Sequence, residues 1–380
     1  MQFHVSRTST KALNSALTAA APEELKWRSM PPPPPLDFAG RVTPRSRPVP
    51  PAREFPLMAP HFTVIRDTTP DSAIPRGAVV AMGNFDGVHL GHRAVIAAAL
   101  EMGRAHGRPA LALTFEPHPR RFFSPNTPQF RLTDERAKLR LLAGTGLSGA
   151  VVMTFDKARA GTSAQDFIHH DLIGRLGVSA IAVGYDFHFG KGRVGSPSLL
   201  VNEAPRLGIE VDVQPHVDFD ERPVSSSAIR IALAEGQLDE ATTMLGAPWF
   251  ITGEVIHGEK RGRDLGYPTA NIRLDANCGL KHGIYAVRVG RGAERLDGVA
   301  SFGRRPTFDN GAPLLEIFLF DFKGDLYGQA LDCAFVGFIR EELKFDSLEA
   351  LIRQMDDDSA RARAMLAAAP DAFPRLGVID

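Results

Sequence analysis

The stretch from Gly83 to His92 reads Gly-Asn-Phe-Asp-Gly-Val-His-Leu-Gly-His, and it lies between a strand-like run, Ala78–Met82, and a helical pattern, Leu90–Ala105. His89 and His92 are three residues apart, so we expect both on one face of the first helical turn. Free backbone N–H groups and the positive end of the helix dipole at that turn favour an anion such as phosphate. Two imidazoles beside these groups could stabilise the charge that builds on a phosphate during displacement. A capped helix with two surface histidines is the alternative.

The segments around this stretch alternate between strand-like and helical patterns. Five apolar runs bounded by turn residues indicate buried strands, at Ala78–Met82, Ala110–Phe115, Ala150–Phe155, Ala180–Val183 and Glu210–Val213. Helices are predicted at Leu90–Ala105, Asp134–Leu142 and Ala164–Leu176, and two short helices over Ser225–Leu245 with a break at Gly236. This alternation predicts an α/β domain in which helices cover both faces of a parallel sheet.

Three further polar segments follow predicted strands and are expected at the same edge of the sheet. They contain His118, Asp186 and a Ser-Ser-Ser-x-x-Arg motif that ends at Arg230. Ligands of open α/β sheets bind outside the carboxyl ends of the strands. Ser226 or Ser227 could cap the next helix and donate to a phosphate, and Arg230 could offer a fork to a leaving pyrophosphate. A plain helix N-cap is the alternative for the serines.

Beyond Gly246 the pattern changes to short strand-like runs with no long helix between them. These runs are Phe250–Val255, Gly283–Val289, Gly298–Phe302, Leu314–Phe320 and Leu331–Phe338. Their spacing predicts an antiparallel barrel or sandwich. We expect an amphipathic helix over Ser347–Met355 to cover one end of a barrel, and we place the domain boundary near Ala247.

The second part contains a glycine-rich basic segment, from Gly253 to Asn271, and a carboxylate within a predicted strand, Glu316. The segment lacks the Lys-Ser/Thr pair of a Walker motif, but its backbone could wrap a polyphosphate. Thr269 and Asn271 carry a hydroxyl and an amide suited to Mg²⁺ or phosphate oxygens, and a tight glycine-rich hairpin is the alternative. Glu316 has apolar neighbours on its own face, so it is either paired in the core or tuned as a base.

Composition excludes several classes of protein. Hydrophobic residues make up 44% and charged residues 23%, which is typical of a globular protein and not of a disordered or collagen-like one. The two cysteines exclude a disulfide framework and a four-thiolate zinc site. The 44 basic and 44 acidic residues cancel, so no global positive field attracts nucleic acid. No apolar run reaches the ~20 residues of a membrane span, and we expect a cytoplasmic protein with small-molecule chemistry.

Residues 1–60 differ from the rest of the chain. They carry 8 basic and 4 acidic residues, and residues 31–60 hold 11 of the 29 prolines. Proline favours an extended, solvated conformation, so we interpret the segment as a disordered leader, with Met58 as an internal start. An organelle transit peptide is the alternative, because residues 1–20 contain Arg7, Lys11 and several hydroxyl residues but no acid.

The His89-x-Gly91-His92 motif and the serine motif ending at Arg230 resemble the HxGH nucleotidyltransferase superfamily, and the residues around them resemble the adenylyltransferase half of the prokaryotic bifunctional riboflavin kinase/FMN adenylyltransferases. The resemblance implies a Rossmann-like domain over residues 61–246 that transfers AMP from ATP to FMN, with Mg²⁺, and releases pyrophosphate. It implies catalytic roles for His89, His92 and Arg230. It assigns substrate or nucleotide binding to Gly83, Phe85, Asp86, Gly91, His118, Asp186, Ser226 and Ser227, where Ser227 replaces the usual Thr.

The second part resembles the riboflavin kinase half of the same family in Gly262–Asn271, in Gly303–Phe308 and in Glu316 followed by Asp325–Gly328. This implies a six-stranded antiparallel barrel with a C-terminal helix over residues 247–380, which phosphorylates riboflavin with MgATP. Glu316 would be the general base, and Thr269 and Asn271 would serve the metal. Substrate or nucleotide binding is assigned to Gly258, Arg261, Gly262, Arg263, Gly266, Pro268 and Arg340.

The expected partners are riboflavin, FMN and ATP, with FAD as product, flavoenzyme apoproteins as acceptors, self-association into an oligomer, and neither nucleic acid nor membrane. Two other functions fit parts of the pattern. An HxGH enzyme acting on an RNA-linked substrate predicts a basic anticodon-binding domain, yet residues 247–380 carry 17 basic and 20 acidic residues. A non-catalytic flavin-binding regulator would not need His89, His92 and Glu316 together.

Overall fold

In the computed structural model, which describes residues 61–127, 129–258, 267–304 and 313–379, the first part of the chain forms a six-stranded parallel sheet. Its strands are β1 (Thr63–Arg66), β2 (Val79–Met82), β3 (Ala110–Glu116), β4 (Gly149–Thr154), β5 (Ala180–Gly184) and β6 (Glu210–Gln214), hydrogen-bonded in the order β1-β4-β3-β2-β5-β6. The five predicted strands are confirmed. The edge strand β1 was not predicted, because its four residues are too few to show a period.

Helices connect these strands, and a two-stranded hairpin, β7 (Asp218–Phe219) with β8 (Arg222–Pro223), follows β6. The helices are α1 (Leu90–His106), α2 (Pro119–Phe123), α3 (Glu135–Ala143), α4 (Lys157–Gly161), α5 (Ala164–Asp166), which continues as a π-helix over Phe167–Arg175, α6 (Pro197–Leu207), α7 (Ser226–Glu235) and α8 (Leu238–Leu245). Helix α6 was not predicted, because it starts at a proline and contains Pro205. Pro197 is tolerated in the first turn, where its missing N–H has no helical partner.

The strand order places the carboxyl ends of β2 and β5 at the centre of the sheet. The chain leaves β2 towards β3 and β4 on one side, and later adds β5 and β6 on the other side. Neighbouring strands whose connections diverge in this way form the topological switch point at which open α/β sheets bind ligands. The Gly83–His92 segment follows β2 and Asp186 follows β5, so both lie at this point.

The second part of the chain forms a closed antiparallel barrel of six strands, in the order β10-β13-β12-β11-β14-β9. The strands are β9 (Phe250–Ile256), β10 (Thr269–Arg273), β11 (Gly283–Arg291), β12 (Glu294–Arg304), β13 (Pro313–Leu319) and β14 (Ala330–Arg340). The five strand-like runs are confirmed, and β10 completes the barrel that the resemblance implied. Strand β10 lacks a strand-like run of its own because its outward residues, Thr269, Asn271 and Arg273, are polar.

The last helix, α9 (Leu348–Ala368), is longer than predicted. It also packs on a different part of the barrel from the one we expected. It continues past the acidic run Asp356–Asp358, because Asp358 is buried and its carboxylate is paired with Arg340. It packs against outward-facing side chains of β11, β12 and β14, such as Ala286 and Val336, whose neighbours in the chain point into the barrel. The prediction that this helix covers the end of the barrel was therefore wrong.

The sheet and the barrel share a hydrophobic core. Ile229 and Leu233 of α7 belong to the same buried cluster as Tyr285 inside the barrel. Polar contacts reinforce this packing: the guanidinium of Arg140, on α3, makes two hydrogen bonds of 2.6 and 2.7 Å to the carboxylate of Asp332, on β14. The two parts are therefore held together by both apolar burial and a bidentate ion pair.

The chain passes from the sheet to the barrel between α8, which ends at Leu245, and β9, which begins at Phe250. A boundary near Ala247 stays a prediction, and the leader, residues 1–60, lies outside the described residues. Within the described parts of the chain, every helix is too short or too polar to cross a membrane.

Candidate active sites

The first candidate site lies at the N-terminus of α1. His89 is the N-cap residue, and its Nδ1 accepts a hydrogen bond of 3.3 Å from the backbone N–H of His92. The two imidazoles stack with their ring centroids 3.7 Å apart. Since Nδ1 of His89 accepts, the ring proton of the neutral imidazole is carried by Nε2, which is left to donate. The structure thus brings the two predicted histidines into contact.

The loop that leads to this helix has a strained backbone. Phe85 and Val88 have positive φ angles of 52° and 44°, although neither is glycine, and both side chains are fully buried. Positive φ in a β-branched residue is rare and persists only where the surroundings hold it. Here the burial of the two side chains fixes the loop. Gly91 allows the ring of His89 to pack closely against it, because a Cβ at Gly91 would lie 3.2 Å from that ring.

Asp86 is the centre of a buried polar network. Its side chain is 3% exposed and accepts hydrogen bonds from the backbone N–H groups of Leu132, at 3.3 Å, and Thr133, at 3.0 Å. The guanidinium of Arg230 pairs with the same carboxylate and also donates from Nε to a backbone carbonyl. The hydroxyl of Ser226 donates to the Asp86 carbonyl at 3.0 Å. The structure therefore connects Asp86 with Ser226 and Arg230, which lie 140 and 144 residues further along the chain.

The serine motif folds differently from the prediction. Neither Ser226 nor Ser227 caps α7: the cap is Ser225, whose side chain accepts from the N–H of Ala228 at 3.1 Å. Ser225 has the extended backbone of an N-cap residue, whereas Ser226 is already helical and turns its hydroxyl towards the β2 loop. Ser227 is exposed.

The remaining predicted residues of this site lie around the same edge of the sheet. His118 follows β3 and caps α2 by accepting from the N–H of Arg120 at 3.2 Å. Asp186 follows β5 and is exposed. Gly83 packs against the Phe85 ring, which a Cβ at that position would approach to 3.1 Å.

Burial keeps the histidines of this site uncharged at neutral pH. It lowers the pKa of His89 to about 4, an effect that Asp86 opposes and Arg230 reinforces. Burial also lowers the pKa of His118 to about 4. The pKa of His92 is lowered as well, first by burial and then by the neighbouring His89 and Lys138. A neutral imidazole still carries one ring N–H, so each histidine can donate a hydrogen bond to a phosphate.

The second candidate site is the outward face of the barrel around Glu316. Glu316 and Asn271 are directly opposed partners on β13 and β10, so their side chains leave the same face of the sheet. Leu315 and Ile317, which flank Glu316, point into the barrel core. Glu316 does not point into the barrel core: it lines a cavity of about 360 Å³, the Glu316 cavity, together with Thr269 and Arg340, and its role as a base stays a prediction.

Thr269 separates two cavities. Besides the Glu316 cavity, it lines a second space of about 440 Å³, the His257 cavity, which also contains His257, Pro268 and Tyr327. The rings of His257 and Tyr327 lie 3.8 Å apart and form one wall. Thr269 therefore belongs to the wall of both cavities.

Asn271 and Gly258 fit the requirements of a phosphate–magnesium site. Asn271 is 5% exposed and donates from Nδ2 to the Thr269 carbonyl at 3.3 Å, which leaves its side-chain oxygen available to a cation. A Cβ on Gly258 would lie 2.4 Å from Nδ2 of Asn271, so only glycine lets the backbone approach this amide. Hydroxyl and amide oxygens suit Mg²⁺, which keeps several waters and takes other ligands from substrate phosphates. The described residues contain no cluster of three or more His, Cys, Asp or Glu that could hold a metal without such help.

Helix α9 forms the outer wall of the Glu316 cavity. Arg340, which lines this cavity, is paired: its guanidinium makes hydrogen bonds of 2.8 and 2.5 Å to Asp358. The phenol of Tyr267 is hydrogen-bonded to Asp356, and its pKa is raised to about 12, first by burial and then by that carboxylate. Arg261, Gly262, Arg263 and Gly266, together with the segment 305–308, lie outside the described residues.

The sequence interpretation did not find a second buried network beside the first site. Arg131 makes hydrogen bonds of 3.0 and 2.7 Å to Glu116, and Nζ of Lys138 lies 2.6 Å from the same carboxylate. The signal that could have revealed it is a lysine within the apolar stretch Ala137–Ala143 of α3. Lysine is rarely buried unless it is paired.

Comparisons with known proteins agree for both parts of the chain. A family model described as FAD synthetase matches residues 71–228, and one described as riboflavin kinase matches residues 245–366. A Pseudomonas fluorescens protein named bifunctional riboflavin kinase/FMN adenylyltransferase is 41% identical over 298 residues, which cover 78% of this chain and 95% of that protein. A protein of the same name from Escherichia coli (strain K12) is 40% identical over 289 residues, covering 76% and 92%. A crystal structure described as a macrolide-efflux protein from Streptococcus pneumoniae is 31% identical, has a TM-score of 0.71, and covers 79% of this chain and 98% of that chain.

Proposed function

Since the chain belongs to the bifunctional riboflavin kinase/FMN adenylyltransferase family, we propose that each of its two activities resides in one of the two clusters described above. The chain phosphorylates riboflavin to FMN with MgATP, and it adenylylates FMN to FAD with release of pyrophosphate. The proposal rests on one observation: two clusters suited to phosphate chemistry lie on separate sheets of one chain, around His92 and around Glu316.

We assign FAD formation to the cluster at the N-terminus of α1. The FMN phosphate attacks the α-phosphorus of ATP directly, so the protein contributes position and charge stabilisation. His89 donates from Nε2, and His92 donates from its ring beside it, to oxygens of the phosphate under attack. The free N–H groups of α1 add a positive field. Arg230 acts through Asp86: it pairs with the Asp86 carboxylate, which ties the loop after β2 to the backbone of Leu132 and Thr133.

We assign FMN formation to the outward face of the barrel. The ribityl 5′-hydroxyl of riboflavin enters the Glu316 cavity, where Glu316 accepts its proton as general base. The ATP phosphates enter from the His257 cavity, and the Thr269 hydroxyl stands between donor and acceptor. Thr269 and Asn271 would hold Mg²⁺, which neutralises phosphate charge when it is bound. Gly258 permits the close backbone approach at this point.

Four finer statements are part of the proposal. We place the protein in the cytoplasm, and we expect it to pass FAD to flavoenzyme apoproteins and to associate into an oligomer without binding nucleic acid. The fold provides no argument for the two other functions weighed from the sequence. Both family models match domains named for enzymes of flavin metabolism, so neither a non-catalytic flavin-binding regulator nor an RNA-linked enzyme is favoured.

A crossed pair of variants tests the assignment in the full-length chain. His92→Ala should lower the rate of FAD formation from FMN by ~10²–10³-fold, the usual cost of one preorganised donor, and leave FMN formation from riboflavin nearly intact. Glu316→Gln should lower FMN formation by ~10²-fold or more and leave FAD formation intact. Chromatographic separation of the flavins, after incubation with riboflavin or FMN and MgATP, measures both rates.

The matched control for Glu316→Gln is Glu254→Gln, which alters an exposed glutamate on strand β9 of the same barrel. This control should keep both rates. Equal loss of both activities in either test variant would contradict the assignment of one activity to each cluster. Unchanged FMN formation in folded Glu316→Gln protein would remove Glu316 as the base.

A further inference from the structure

Lys138 is a buried cation next to the adenylyl-transfer site that the assignment above does not use. It lies on α3, and its side chain is 1% exposed. Removing an ammonium group from water costs several kcal/mol, and a buried ion pair is often no more stable than well-packed apolar residues. Fold stability alone therefore does not explain a lysine at this position. The contacts of Lys138 indicate a further role.

The Lys138 ammonium joins the ends of two neighbouring strands. Its Nζ lies 2.6 Å from Oε1 of Glu116, 3.2 Å from the hydroxyl of Thr114 and 3.5 Å from the backbone carbonyl of Asn84. The Thr114 hydroxyl in turn donates to that Asn84 carbonyl at 3.1 Å. Asn84 follows β2, whereas Thr114 and Glu116 end β3. Lys138 thus holds together the two strand ends from which the His89–His92 segment and His118 emerge.

Glu116 and Lys138 form an ion pair although burial disfavours the charge on each of them. Burial lowers the pKa of Lys138, and the Glu116 carboxylate opposes this effect. Burial disfavours the Glu116 carboxylate, but Lys138 and Arg131 outweigh this effect and hold its pKa below its usual value. The network around the site contains three cations, Lys138, Arg131 and Arg230, and the two carboxylates paired with them, Glu116 and Asp86.

We propose that Lys138 is a positioning residue for adenylyl transfer, whose ammonium fixes the carboxyl ends of β2 and β3 so that the histidines that follow them meet the same phosphate. The proposal rests on the assignment of FAD formation to the His89–His92 cluster. Lys138 itself is enclosed by protein and acts through Asn84 and Glu116. Its effect should therefore fall on the rate of the chemical step and much less on the binding of ATP or FMN.

The test uses Lys138→Met in the full-length chain, because methionine has a similar length and no charge. The kcat of FAD formation should fall by roughly 10–10²-fold, the scale expected when reacting groups are displaced by about 1 Å, with the KM values for ATP and FMN within about threefold. The kinase activity of the same molecules reports the folded fraction and should stay within twofold. Lys157→Met, which changes an exposed lysine on α4, is the matched control and should keep both rates.

A second variant separates positioning from charge balance. In the single variant Glu116 keeps Arg131 as its cation. Lys138→Met with Glu116→Gln removes one charge of each sign, so the summed charge of the network equals that of the unaltered protein, and Arg131 can still donate to the new amide oxygen. Under the proposal the double variant still forms FAD slowly while its kinase rate is normal. Recovery of FAD formation in the double variant, an unchanged kcat in folded Lys138→Met, or loss of both activities in both variants would each overturn it. His92→Ala tests separately whether the His89–His92 cluster forms FAD. If that variant forms FAD at the normal rate, this assignment fails whatever the result for Lys138.

Discussion

The adenylyl-transfer site and the kinase site differ in how deeply their carboxylates Asp86 and Glu316 are buried. In the first site the protein itself satisfies Asp86, whose side chain is 3% exposed and receives hydrogen bonds from two backbone N–H groups and from Arg230. In the second site Glu316 and Thr269 stand in the wall of a cavity of about 360 Å³. Asp86 is enclosed by the protein, whereas Glu316 is half-buried and faces a space that a substrate can fill.

This difference follows from the two sheets on which the sites are built. The carboxyl ends of parallel strands converge with helix N-termini, so charged side chains there are surrounded by protein and need internal partners. The outward face of a barrel strand is covered only by what packs on it, here α9. We therefore expect replacement of Arg230, the cation paired with Asp86, to reduce stability and activity together, and replacement of Glu316 to reduce activity alone.

The largest expected effect is on stability in the first site. Arg230→Met leaves the Asp86 carboxylate buried without its cation, and breaking such a pair costs about 3–5 kcal/mol. The melting temperature should fall by many degrees, whereas Glu316→Gln should leave it nearly unchanged. Calorimetry or circular dichroism on both proteins measures this contrast.

Arg206→Met is the control for that comparison, since Arg206 pairs with Glu203 on the surface and is 80% exposed. Surface pairs contribute little, so its melting temperature should stay close to that of the unaltered protein. An equal drop for Glu316→Gln and Arg230→Met would break the distinction between the sites.

A smaller effect is expected on the rate of the second site. Gly258→Ala places a Cβ 2.4 Å from the amide nitrogen of Asn271, so that amide must move. We expect kcat/KM for ATP in FMN formation to fall by roughly tenfold or more, with FAD formation and the melting temperature preserved. Steady-state kinetics with riboflavin and varied ATP test this.

Gly161→Ala is the matched control, because a Cβ at Gly161 meets no atom within 4 Å. It should have no effect on either rate. Normal kinase kinetics in Gly258→Ala would show that the position of Asn271 does not matter for ATP.

The smallest expected effect is the pH dependence of stability, and it belongs to the first site. The pKa of His89 is lowered to about 4 in the folded protein, whereas in an unfolded chain it is about 6.5. As the pH falls from about 6.5 towards 4, the unfolded chain binds a proton that the folded protein does not, so stability is lost in that window. The pKa of Tyr267 in the second site is raised to about 12, which lies far outside this pH window.

His89→Asn keeps a capping side chain and removes the titrating ring. Between pH 6.5 and 5.5 this variant should lose about 1 kcal/mol less stability than the unaltered protein. Urea unfolding at the two pH values measures the difference. A loss of the same size in both proteins would mean that His89 is not the group that titrates.

Much of the architecture follows from local sequence pattern. Alternating apolar runs and helical periods indicated the parallel sheet, and five short runs after Gly246 indicated an antiparallel barrel or sandwich, because hydrophobic periodicity reports which face of a segment is buried. The spacing of His89 and His92 was enough to put both at one helix N-terminus, since residues three apart share a helix face. These are properties of a few consecutive residues, and no distant partner is needed to establish them.

Only the tertiary structure decided which groups meet. Asp86 and Arg230 are 144 residues apart, and Lys138 reaches a strand that ends 22 residues before it, so no local period signals either pairing. Alternation put Glu316 with Leu314 and Phe318 on one face of β13, but that face became a cavity wall because closure of the barrel turned the other face, with Leu315 and Ile317, into the core. A strand pattern specifies two faces, and only the packing of other elements determines which of them is enclosed.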